Sequence, residues 1–282
     1  MKPIFCIDVT KNRNNSIVNG DEFVTAKVSS LRADMLGKAV DQVDAQEEKT
    51  KLPGFLNILR LLFLGAFVFC FSIFLGFVSE GTIAQAYQRE PLLVWICLGT
   101  LLCWGLLAYL GGKKEKSVRE SEETQRVVAT ADQLLENVYE ELKVPRTAAS
   151  MDILVFRYVE KKGQVVPKSS GVITFMSCVC KVFSENGTLC IADADQRYEI
   201  PLSDVRRIVT VNKDAYIPTW NKEIPTNKPP YKQYKLRIDN YGFIHFKPYY
   251  ILELEHNGET WGLYFPSYEL TLVESLTGHH PD

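Results

Sequence analysis

The residues best able to do chemistry in this chain are basic and lie close together. Between positions 205 and 247 there are nine: Arg206, Arg207, Lys213, Lys222, Lys228, Lys232, Lys235, Arg237 and Lys247. Only Asp214, Glu223 and Asp239 oppose them, and Tyr216, Trp220, Tyr231 and Tyr234 are interleaved. Near an anionic bilayer each Lys or Arg contributes about 1 kcal/mol of attraction, fading within a Debye length. Tyr and Trp favour such interfaces because one end of the ring is apolar and the other wet. The nine basic residues and Trp220 are therefore the candidate binding surface for anionic lipid or for a protein partner. The competing reading is a solvated face whose charges serve solubility.

Other reactive types are sparse. Cys178 and Cys180 are two apart, so on a strand they share one face. That spacing suits a shared site better than a strained disulfide, but no further ligand is marked by spacing for a metal. Cys6, Cys70, Cys97, Cys103 and Cys190 are scattered, and all seven cysteines read as structural thiols of a reducing compartment. The four histidines have no metal-ligand partner at useful spacing. There is no nucleophile elbow, P-loop or dinucleotide fingerprint, so the expectation is a non-enzymatic protein without cofactor or metal. A formal charge of -2, from 32 basic and 34 acidic residues, argues against nucleic acid as a partner.

Two apolar runs must position everything else. Residues 61–78 (LLFLGAFVFCFSIFLGFV) and 92–110 (LLVWICLGTLLCWGLLAYL) carry no charge. Each is long enough to cross a hydrocarbon core of about 30 Å. The connecting segment, 79–91, is short, which predicts an antiparallel helical hairpin. Lys49, Lys51 and Arg60 precede the first run, and Lys113, Lys114 and Lys116 follow the second. Basic flanks stay cytoplasmic, so both termini are expected in the cytoplasm of a bacterial cell, with the hairpin in the inner membrane. The first run begins too late for a signal peptide. The spans hold no ionisable group that would mark an ion path.

Outside the hairpin the periodicity divides the chain. Residues 1–54 read as an N-terminal segment, with a strand at 3–8 and a helix beginning at Asp21 or Thr25. Its apolar stripe is Val28, Leu31, Met35, Val40 and Val43. Residues 55–112 hold the hairpin, which Gly111-Gly112 is expected to end. Residues 113–146 form an amphipathic helix over about 117–143, with Val127, Val128, Ala131, Leu134, Leu135, Val138 and Leu142 as its apolar stripe. Residues 147–278 turn strand-like, with seven or eight strands. Asn186-Gly187 and Asn257-Gly258 mark tight hairpins, and 268–276 reads as a closing helix. The proline-rich stretch 212–231 reads as an exposed insertion.

The segment Ile200-Pro201-Leu202-Ser203-Asp204-Val205 before a strand, the late Asn257-Gly258 hairpin and the closing helix at 268–276 resemble a pleckstrin-homology-like domain of the bacterial membrane-protein type. The resemblance covers residues 151–276. It implies two bent antiparallel sheets closing into a partial barrel plugged by the helix. The expected fold class is an α+β membrane protein: a two-helix transmembrane hairpin and a cytoplasmic antiparallel β domain. The expected function is a scaffold or regulator that binds a protein partner, membrane lipid or a second copy of itself. The alternatives are a subunit of an oligomeric transport or secretion assembly and an enzyme acting on a lipid-linked substrate. The topology is open to direct test. Protease added outside intact cells should cut only within 79–91 and leave residues from 151 onward whole; loss of the later region would overturn it.

Overall fold

The computed structural model describes residues 1–8, 21–79, 81–161, 164–167, 173–218, 231–234, 236–239 and 243–282. They fall into two compact units: Met1–Ala33 with Glu136–Asp282, and Asp34–Leu135. The strand-rich first unit thus draws on both ends of the chain.

Five helices run in order: α1 (Ser30–Thr50), α2 (Gly54–Ser79), α3 (Ile83–Arg89), α4 (Pro91–Arg119) and α5 (Glu122–Glu141). The helical unit holds α2 to α4, most of α1 and most of α5. Two of these helices, α2 and α4, are long and apolar enough to cross a membrane, with mean hydropathy of 2.6 and 2.1 over their best windows. They pack against each other. Between them lies α3, opened by a reciprocal capping box in which the Thr82 side chain accepts from the Gln85 amide and Gln85 from the Thr82 amide.

Two expectations for this unit are corrected. Helix α4 does not end at Gly111-Gly112 but continues to Arg119. Interior glycines cost about 1 kcal/mol each relative to Ala, and a close approach accounts for Gly111. A Cβ there would lie 3.1 Å from the Leu52 side chain. The linker before α2 comes near α4 at this point, where Lys114 Nζ donates to the Lys51 carbonyl at 2.6 Å. The buried face of α1 is also not the expected one. Leu36, Ala39 and Gln46 are buried, whereas Leu31, Met35 and Val40 are exposed. Gln46 is held by Glu123 at 2.7 Å, with Lys49 on the same carboxylate at 3.2 Å. A polar anchor therefore set the face that apolar size alone misassigned. Of the stripe read for α5, Val138 and, just past its end, Leu142 are buried and Val127, Ala131, Leu134 and Leu135 are half-buried, whereas Val128 is exposed.

The strands begin with β1 (Lys2–Pro3), β2 (Cys6–Asp8) and β3 (Val24–Lys27). After the helices come β4 (Ala149–Lys161), β5 (Gln164–Pro167), β6 (Ile173–Thr174), β7 (Met176–Glu185), β8 (Thr188–Ala192) and β9 (Gln196–Pro201). The remainder are β10 (Val205–Val211), β11 (Ala215–Pro218), β12 (Arg237–Ile238), β13 (Phe243–Phe246), β14 (Tyr249–His256) and β15 (Glu259–Pro266), with α6 (Leu270–Thr277) closing the fold. One sheet is a curled six-stranded half-barrel in the order β2-β4-β7-β8-β9-β3, with β5 added at β4. A second runs β1-β15-β14-β10, and a small third β12-β13-β11-β6. The residues expected to start the N-terminal helix at Thr25 instead form β3, paired antiparallel with β9. The strand expected at 3–8 splits into β1, parallel to β15, and β2, parallel to β4.

Both asparagine-glycine hairpins turn as read. Asn186 and Gly187 have φ of 50° and 75°, and Asn257 and Gly258 have φ of 51° and 76°. Positive φ at both central residues matches the twist of the flanking strands, and these residue types tolerate it best.

The first two sheets share one core. It joins Ile4, Phe5 and Phe23 to Ile153, Ile191, Tyr198, Leu252 and Phe265, with Val273, Leu272 and Leu276 of α6 against it. A second core holds Leu154, Phe175, Ile217, Ile244 and Ile251. Ile153 and Leu154 are thus neighbours in different cores, as are Ile251 and Leu252. Strands β4 and β14 are apolar on both faces, which is why each reads as a near-continuous hydrophobic run. Phe5 is 1% exposed, so Phe5→Ala should lower unfolding stability by about 3–5 kcal/mol. Leu31→Ala, at an exposed position, should change it by less than about 0.5 kcal/mol. Chemical unfolding of the detergent-solubilised full chain checks both.

Candidate functional site: an open basic groove

The structure sorts the candidate basic residues. Trp220, Lys222, Lys228 and Lys235 lie outside the described residues, as does the side chain of Lys232. Arg206 is committed to Glu255 on the neighbouring strand, at 2.7 and 2.9 Å. Arg207 reaches Glu253 at 3.3 Å and Asp282 at 3.8 Å. Strict alternation would send these two side chains to opposite faces. A register shift between Val205 and Arg207 leaves both exposed. Their charge is largely neutralised where they sit. Lys213 is exposed and is not itself among the residues that line the groove described next, though its neighbour Asp214 is.

Arg237 and Lys247 come together. They line an open groove of about 570 Å³ with Asp214, Tyr216, Tyr234, His245, Phe246, Pro248, Tyr250 and Ser267. The small third sheet builds it. Across β11, β13 and β12 the register places Tyr216 opposite His245, and His245 opposite Arg237. Directly opposed residues on one face sit within side-chain reach of each other, so the three form a cross-strand row. The Tyr216 and His245 rings meet edge to face at 4.0 Å. His245 Nε2 is 2.8 Å from Asp239 Oδ2, and Asp239 Oδ1 accepts the Phe243 amide at 3.0 Å. The imidazole is therefore fixed in orientation. Phe246, on this row's strand, is anchored in the second core.

Ser267 forms part of the groove's lining and is 4% exposed, yet its hydroxyl makes no hydrogen bond. A buried hydroxyl left unpaired costs on the order of 1–3 kcal/mol. Because it makes no bond, Ser267 is not joined to His245 as a nucleophile to its base. Its neighbour Tyr268 donates to Asp152 at 3.1 Å, and Glu269 accepts the Asp152 amide at 2.9 Å. Burial pushes the Tyr268 hydroxyl well above its ordinary range, so it remains a donor.

Sequence reasoning reached Arg237 and Lys247 through their charge and Tyr216 and Tyr234 through their rings. It missed Ser267 and Tyr250, and passed over His245 as an alternating strand residue. The available signal was the His245-Phe246-Lys247 alternation, which puts the two polar chains on one side and Phe246 on the other.

Cys178 and Cys180 do share a face of β7, with their sulfurs 3.6 Å apart. The Cys180 S–H donates to Cys178 and holds the Cys178 thiol below its ordinary value against burial and Asp193. The same bond and burial push Cys180 far up. Among the described residues no group of three or more His, Cys, Asp or Glu side chains is placed to hold a metal ion. Comparisons with family models, curated proteins and solved structures give no match to this chain.

The thiol pair yields a signed prediction. Cys180→Ala removes the donor that stabilises the Cys178 thiolate, so the pH midpoint for alkylation of Cys178 should move upward. Iodoacetamide labelling of the full chain from pH 7 to 10, read by peptide mass spectrometry, measures it.

Proposed function

We propose that this protein is a membrane-anchored binding module, with its β unit on the cytoplasmic face of a bacterial inner membrane. In this reading the β unit is a pleckstrin-homology-like domain that engages an anionic lipid surface or an acidic partner through the groove. The observation that carries it is the contrast between the two sets of basic residues. Arg206 and Arg207 already face Glu255, Glu253 and Asp282. Arg237 and Lys247 are exposed beside an open groove and make no ion pair with any described residue. A charge already neutralised by a neighbour gains little from a new partner, whereas an unpaired one gains most.

The domain reading is supported by the shared core of two sheets, antiparallel except where β1 and β2 join them in parallel, with α6 packed on it. The anchoring is supported by α2 and α4, whose apolar side chains are largely exposed, as lipid-facing residues are. The orientation is supported by the basic residues that flank both spans.

The test uses the full chain in nanodiscs. Hydrogen exchange in β12 and β13 should slow when zwitterionic lipid is replaced by anionic lipid. The Arg237→Glu/Lys247→Glu variant should abolish the difference, and Arg206→Glu should leave it in place. Equal exchange in both lipids, with no co-purifying protein lost in the double variant, would refute the reading.

A further inference from the structure

The lining of the groove is more selective than a charged surface needs to be. Arg237 and Lys247 supply two cations without acidic partners among the described residues, enough to hold one phosphate. Asp214 is exposed in the same lining. A carboxylate repels a bare anion but accepts hydrogen bonds from hydroxyl groups. Tyr216, Tyr234 and Tyr250 add half-buried aromatic faces of the kind that pack on C–H-bearing rings. A volume of about 570 Å³ lies in the small-molecule range of roughly 300–1,000 Å³.

The geometry points to a binding site for a sugar phosphate: a phosphate held by Arg237 and Lys247, hydroxyls by Asp214, the ring against the tyrosines. His245, fixed by Asp239 and flanked by Tyr216 and Arg237 in the cross-strand row, offers a further polar contact. The inference deepens the proposed function at the same groove, replacing a charged surface with a defined ligand. The same chemistry reaches the groove either as a free sugar phosphate or as a phosphorylated ring carried on a lipid.

The experiment has a soluble and a lipid arm, both with the full chain in nanodiscs. In the first, glucose 1-phosphate and inorganic phosphate are titrated by calorimetry against protein in zwitterionic lipid. Saturable binding of glucose 1-phosphate is expected, weakened about tenfold or more by Arg237→Ala and by Lys247→Ala. Asp214→Asn should weaken glucose 1-phosphate and leave inorganic phosphate unchanged or tighter, which a merely electrostatic patch would not do. In the second, hydrogen exchange of β12 and β13 is compared in phosphatidylinositol and in phosphatidylserine nanodiscs of equal charge. Greater protection by phosphatidylinositol, lost in the same variants, supports the lipid-borne source. The inference is overturned if neither arm shows binding, or if binding survives both cation substitutions. It is also overturned if phosphatidylserine protects as well as phosphatidylinositol while glucose 1-phosphate fails to bind. That last result leaves the anionic-surface reading standing, so the two fail separately. All three substitutions are at exposed positions and should change unfolding stability by less than about 0.5 kcal/mol.

Discussion

Strand pairing between the two ends of the chain is the constraint on which the rest of this protein depends. The first strand lies parallel to β15, the second parallel to β4, and β3 pairs with β9. Ile4, Phe5 and Phe23 then share a core with Leu252 and Phe265. The apolar hairpin is thus inserted within a single folded unit. A common core requires its two contributing segments to lie on one side of any membrane that α2 and α4, both long and apolar enough to cross one, would span.

Within the β unit, the places where the chain re-enters it are tied down by charge. Arg197 is 8% exposed. It bonds the Leu142 and Lys143 carbonyls, which follow α5, and pairs with Glu199 at 2.8 Å and Glu185 at 3.4 Å. A guanidinium at a helix C-terminus satisfies carbonyls that have no partner within the helix. At the other passage, Ser29 and Arg32 hold Glu141, with Arg32 also donating to the Asn137 carbonyl. These contacts fix the entry and exit of the inserted segment while the second core, on the far face of β4 and β14, supports the groove. Phe246 and Tyr249 are buried there, and His245, Lys247 and Tyr250 beside them line the opening.

The parts of this fold that were legible in the sequence are those written locally. Long uncharged runs announced α2 and α4, Asn-Gly pairs fixed two hairpins, and four-residue spacing marked α6. What stayed hidden depends on distant partners. Nothing in Val24–Lys27 signals a strand until β9 is beside it, because a four-residue segment has no periodicity strong enough to outweigh the helix that follows. Residues 2–8 read as extended, but their pairing with strands about 150 to 260 positions away leaves no local trace. The site was half legible. Positive charge located its neighbourhood, yet charge alone does not say which arginines already have a carboxylate opposite. That is decided by the register of β10 on β14 and of β12 on β13. Ser267 carries no sequence signal, since its distinguishing property is a missing hydrogen bond.

The pairing of β1 with β15 also sets the order of events during synthesis. Lys2 lies opposite Trp261, so β1 waits for a partner strand made 259 residues later. At roughly 5–20 residues per second, that delay is on the order of ten to fifty seconds. The two long apolar helices α2 and α4 are made within it. Throughout that interval the nascent N-terminal strands expose unpaired backbone and the side chains of Ile4 and Phe5, a template for pairing with another chain. A chain arrested after α4 would therefore hold β1 and β2 without the strands that cover them, since β4 and β15 both lie beyond that point.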